Sequence, residues 1–196
     1  MICLYNRGSD YILSGDYAPG LRYCNEALEI ASEMGHRDQI AYALSLLALH
    51  DFCSGDYLAC QEHAQHSREI MEAINSRVFE PYNRALLIVL ACLREDYAEG
   101  MRLHTLLSYQ STNKIAMQLY SWALAALFCG LGSVPQARAA LEQVLRRSNL
   151  VANAAILVWI APCAAFVLAE TEPETAIRLL GWACAAPNIG HSWARD

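Results

Sequence analysis

Lysine is almost missing from this chain. Lys114 is the only one among 14 cationic residues, and the formal charge is −6. No block of basic residues exists. A nucleic-acid surface works by neutralising phosphates with clustered cations, so this composition argues against nucleic-acid binding within the chain. Paired cysteines are missing as well. The eight cysteines form no C-x-x-C pair, and their spacing matches no zinc pattern. Each falls in an apolar helical pattern, which suits small buried hydrophobes in a reducing cytoplasm. The sequence also lacks a glycine-rich phosphate loop, G-x-S-x-G and H-E-x-x-H, and no paired acids suggest a cleft. These absences point away from an enzyme, and no cofactor is implied. Met1 leads straight into the polar stretch Tyr5-Asn6-Arg7-Gly8, so no signal peptide is apparent.

What the sequence does have is a recurrence. Gly15-Asp16-Tyr17 returns as Gly55-Asp56-Tyr57 and again as Glu95-Asp96-Tyr97, at steps of 40 residues. Gly132-Ser133-Val134 follows, then a weaker echo at Thr171-Glu172-Pro173. A fixed period of this size marks a repeat array, each repeat being one unit that buries its apolar face on its neighbours. Hydrophobic residues make up 55% of the chain, which suits close helix-on-helix packing.

In each repeat a helix precedes the landmark and another follows it. The expected helices cover roughly 1–14, Asp16 to Gly35, 38–53, Asp56 to Ile74, Pro81 onward, and Asp96 to about Tyr109. After a loop at 110–113, three more helices are expected: a first helix of the fourth pair, a Ser133-capped helix, and one over 150–169. A last helix starts at Thr171 and Pro173. The predicted inner stripes include Gly8 and Ile12, then Gly20 and Leu21, then Leu44 and Leu47, and finally Leu124 and Leu180. Truncating Leu47 or Leu124 to Ala is expected to cost about 2–5 kcal/mol. Asp16, Asp56, Asp96 and Ser133 stand where N-caps belong, and Gly35 where a C′ residue belongs. Pro162 should kink its helix or loosen one turn.

Aligned on these landmarks, the chain resembles the tetratricopeptide family. The carrying segments are Leu4-Tyr5-Asn6-Arg7-Gly8-Ser9-Asp10-Tyr11, Gly20-Leu21 with Ala27-Leu28, and Ser121-Trp122-Ala123-Leu124-Ala125-Ala126-Leu127-Phe128. The resemblance covers residues 1–186, with repeats at about 1–36, 37–76, 77–113, 114–148 and 149–186. Residues 187–196 read as a tail or the start of a missing helix. The period is longer than the family's 34 residues, and so looks like the arrays of bacterial multidomain regulators of the MalT and LuxR type. The resemblance implies an all-α, right-handed α-solenoid of about five helix pairs. It also implies a non-enzymatic module that senses a small-molecule inducer or binds a protein or peptide partner. The alternative is a stand-alone adaptor that grips a partner helix or peptide. The abrupt start suggests a fragment of something longer, with self-association through its truncated ends.

The family's concave lining, carried onto this chain, includes Tyr5, Tyr42, Ser45, Phe52, Tyr82 and Trp122, and in the fifth repeat Val158 and Ala161. It contains no Lys or Arg, which disfavours partners held by a carboxylate clamp. An apolar groove with aromatic faces fits a helix or a flat ligand such as a sugar. The competing expectation is that these aromatics bury one another. Two other stretches are weighed and set aside. Cys60, His63 and His66 share a helix, but the outer two point about 120° apart with only His50 as a fourth partner, so solvated histidines are expected. Residues 150–169 have the length of a membrane span, yet they fall where the repeat needs a packing helix.

Overall fold

The computed structural model describes residues 2–106, 113–147 and 154–185. Among these residues all regular structure is helical. The helices are α1 (Ile2–Leu13), α2 (Tyr17–Glu33), α3 (Arg37–Ser54), α4 (Tyr57–Ala73) and α5 (Glu80–Leu93). They continue with α6 (Tyr97–Thr105), α7 (Lys114–Gly130), α8 (Val134–Arg147), α9 (Ala154–Leu168) and α10 (Pro173–Ala185). The all-α expectation is met, and helix bounds fall within a few residues of those read from the periodicity. The loop expected at 110–112, the start of the helix expected at 150, and the tail at 187–196 lie outside the described residues.

The helices are cut to length by one repeated device. Gly15, Gly35, Gly55 and Gly132 have φ between 67° and 88°, and Asn75 and Glu95 adopt the same left-handed conformation at 53° and 57°. From Gly15 to Glu95 these residues recur every 20 positions, so the 40-residue period is built from two near-equal halves. Each one closes its helix by a Schellman pair of backbone bonds, such as Gly55 N to Phe52 O at 3.3 Å and Asp56 N to Asp51 O at 2.8 Å. Glu95 makes the equivalent bonds, its N–H to Cys92 O at 2.9 Å and that of Asp96 to Ala91 O at 2.9 Å. The third repeat therefore keeps the turn although it lacks the glycine.

Except at Asn75, where α5 begins only at Glu80, the residue after each turn leads into the next helix. Asp56 and Asp96 accept from the backbone N–H groups of Ala59 and Glu99, each at 3.0 Å. Asp16 holds the N-cap position of α2 without a side-chain bond, so its predicted capping is positional only. Ser133 instead bonds the Gln136 side chain three residues on. Helix α9 runs unbroken past Pro162. No helix among the described residues is long and apolar enough to cross a bilayer.

Each helix packs on its neighbours in the chain, and the odd-numbered helices also pack on one another in the order α1, α3, α5, α7, α9. Small residues let α1 and α2 meet closely. A Cβ on Gly8 would stand 2.8 Å from Cys24 Sγ, and one on Gly20 would stand 2.8 Å from Ile12 Cγ1. Helix α3 is buried on every side from Ala43 to Cys53, which makes it the centre of the core. Some predicted core positions differ, three of them clearly. Leu21 and Leu180 are exposed, and Leu124 is only half buried beside α8. All three lie at the edges of apolar stripes, where a rotation of about one residue moves a side chain from core to rim. Cys3 and Cys184 are likewise exposed, and all eight cysteines are free thiols.

Candidate functional site

The predicted aromatic lining residues gather mostly inside the protein, in two groups. Phe52 is fully buried at the end of α3. Its ring meets Trp122 of α7 edge-on at 5.8 Å and Trp159 of α9 at 6.4 Å. The two indoles lie 5.1 Å apart, and Trp122 Nε1 donates to the carbonyl of Trp159 at 2.9 Å. Near the other end, Tyr5 of α1, Tyr42 of α3 and Phe79 form a ladder with ring separations of 4.6 and 4.2 Å. Tyr5 also donates from its hydroxyl to the Gln39 carbonyl at 3.1 Å. Burial, and next the Asp38 charge, push the Tyr5 phenol up to about 12.

Between these aromatic groups lies a cavity of about 30 Å³, room for roughly one water molecule. All five odd-numbered helices contribute to its wall, through Ser9, Leu49, Tyr82, Gln118 and Trp159 among others. The Tyr82 hydroxyl and Trp159 Nε1 are buried there without hydrogen-bond partners. Burial holds the Tyr82 phenol well above its ordinary range, so it stays a neutral donor.

Trp159 was not among the lining residues carried from the family pattern. Val158 and Ala161, which were, turn instead toward Ala183 of α10. The register in this repeat is therefore off by one. Ser45 has a structural setting of its own. Its hydroxyl donates to Ala41 O at 3.0 Å and lies 3.0 Å from the Ser67 hydroxyl. Ser67 in turn donates to Ala41 O at 2.7 Å and accepts from Asn83 Nδ2 at 2.8 Å. This buried network ties α3, α4 and α5 together, and Ser45 faces it rather than a groove.

His66 is exposed as expected, but His50 and His63 are placed differently from the solvated default. Asp51, buried in α3, accepts from His50 Nδ1 at 3.0 Å and from His63 Nδ1 of α4 at 2.7 Å. Burial pushes the Asp51 carboxyl up, but the two histidine bonds outweigh it and leave the group below its ordinary value. The bond to Asp51 raises His63 above the usual imidazole range. Cys60 is fully buried and His66 is exposed, so these two do not join His63 around a common centre. No group of three or more metal-ligating side chains converges among the described residues.

One polar site was not foreseen. A cavity of about 320 Å³ opens between the end of α4, the turn into α5 and the end of α6, with Arg68, Arg77 and Arg84 in its wall. Its arginines stand nine and seven residues apart, on two helices and a turn, so no local motif announces them. Compared with known protein families, curated proteins and solved structures, the chain matches none.

Proposed function

We propose that this chain is a non-enzymatic, cytoplasmic ligand-sensing module, built as a right-handed solenoid of tetratricopeptide-like helix pairs and serving a larger bacterial signalling or transcription regulator. The observation that carries the reading is the convergence of all five odd-numbered helices on one aromatic interior. A ligand that entered there would touch every repeat at once. The packed interior holds no more than about one water molecule, so such a ligand would bind by shifting the array to a more open form. That coupling of occupancy to shape is what a sensor requires. The eight free thiols suit a reducing compartment.

The adaptor reading ranks second. A partner helix is about 10 Å across, and Phe52, Trp122 and Trp159 would have to separate fully to admit one. Tryptophan emission distinguishes the two. Titration with oligosaccharides is expected to give a saturable change that Trp122→Phe weakens. A response to amphipathic peptides alone would favour the adaptor. Silence toward both classes would remove the interior as a binding site.

A further inference from the structure

The cavity beside α4, α5 and α6 has a charge arrangement unlike the apolar interior. Arg84 is 3% exposed. Its Nη1 donates to the Leu103 carbonyl at 2.9 Å and its Nη2 to the Glu80 carboxylate, while its buried Nε has no acceptor. Arg68 donates from Nη2 to Glu72 at 3.1 Å, and its Nε is also buried without an acceptor. Arg77, on the turn, is exposed and pairs with neither carboxylate. Three guanidinium groups thus face two carboxylates, leaving one positive charge in excess and two buried donors unsatisfied.

A buried donor on a charged group without an acceptor is expensive, because its hydration is lost and nothing replaces it. Folding has nevertheless left two such donors on arginines that line one cavity. From this geometry we infer that the cavity binds a small organic oxyanion, the phosphate or carboxylate group of a hydroxylated metabolite. Guanidinium groups present their N–H donors in a planar fork that matches the oxygens of either anion. Asn75 and Ser76 on the rim supply neutral hydrogen-bonding groups, and Glu72 and Glu80 supply acceptors for ligand hydroxyls. At about 320 Å³ the cavity lies within the size range of small-molecule sites. It is separate from the aromatic interior, so its failure would leave the sensing reading untouched, and the reverse holds too.

Calorimetric titration of the full chain with inorganic phosphate, glucose 6-phosphate and gluconate tests the inference and separates phosphate from carboxylate. Saturable binding of at least one probe is expected, and it should weaken as salt is added. Arg77→Ala changes an exposed residue outside the helices, so the fold should be kept, with circular dichroism as the check. The affinity should fall by about tenfold to a hundredfold on loss of a charge-assisted hydrogen bond. Arg68→Ala should weaken binding by a similar factor. Absence of saturable heat with all three probes up to about 10 mM would overturn the inference. So would an affinity unchanged in both variants, which would place the anion elsewhere. Binding of acidic peptides but of no small oxyanion would also overturn it, by assigning the cavity to a protein partner.

Discussion

Phe52→Ala separates a closed aromatic interior from an open groove. The ring is fully buried, and its edge contacts with Trp122 and Trp159, at 5.8 and 6.4 Å, lie within the range of favourable aromatic pairs. Truncation removes the transfer free energy of the ring and leaves a void between α3, α7 and α9. A Phe→Ala change at such a site costs about 3–5 kcal/mol. The loss of two aromatic pairs, worth about 0.5–1.5 kcal/mol each, places it toward the upper end. The assay is equilibrium urea unfolding, followed both by far-ultraviolet circular dichroism and by tryptophan emission. Two of the chain's four tryptophans touch Phe52 directly, so the native emission should move to longer wavelength as water reaches the void. If Phe52 instead lined a solvent-filled groove, its truncation would cost about 0.5 kcal/mol or less and leave the emission in place. That outcome would refute the burial argument.

Four further outcomes are expected. Glu95→Gly should stabilise the protein by about 1 kcal/mol in thermal unfolding, because a left-handed backbone strains a residue with a Cβ. Gly20→Ala should destabilise by about 1–3 kcal/mol, since its Cβ would meet Ile12 Cγ1 at 2.8 Å and Ile12 N at 3.3 Å; an unchanged melting temperature would show that α1 and α2 can separate freely. Ser67→Ala should cost about 1–3 kcal/mol by leaving Asn83 Nδ2 buried without its acceptor. The Asp51–His63 pair should make stability depend on pH. The raised His63 value means its contribution is complete below the ordinary imidazole pKa and is lost as pH rises through the shifted one. The lowered Asp51 value means its contribution is present above the ordinary carboxyl pKa and is lost as pH falls through the shifted one. The contribution of this pair to the melting temperature should therefore be greatest in mildly acidic solution and decline toward neutral and alkaline pH. His63→Gln should flatten that alkaline-side decline, and an identical slope in the variant would refute the assignment.

The repeat was legible because its turns are written locally. Gly-Asp-Tyr encodes a left-handed closing residue and the N-cap beside it, and neither needs a distant partner. The turns at Asn75 and Glu95 were placed by the period and by the residues beside them, but their left-handed backbone was not legible, because neither residue is glycine. The rotation of α9 was not legible, because nearly every residue in it is apolar. With no polar face to orient the helix, Val158 and Trp159 were equally good candidates for the inner side. Whether the aromatic lining was open or closed could not be read either. The same pattern of Tyr, Phe and Trp with small neighbours fits both, and the choice depends on how tightly the odd-numbered helices converge. The arginine cavity was invisible for another reason. Arg68, Arg77 and Arg84 look like ordinary surface cations until the turn between α4 and α5 brings them to one wall.

Amide hydrogen exchange, resolved by peptide, tests most directly whether α3, α7 and α9 share one closed interior. Helix α9 lies near the end of the described chain, where an array held only by neighbour contacts would fray independently. If the Phe52–Trp122–Trp159 packing joins the repeats, amides in 156–167 should exchange as slowly as those in 43–53, both near the rate set by global unfolding. Exchange of 156–167 that is much faster than that of 43–53, under conditions where the protein stays folded, would contradict the account.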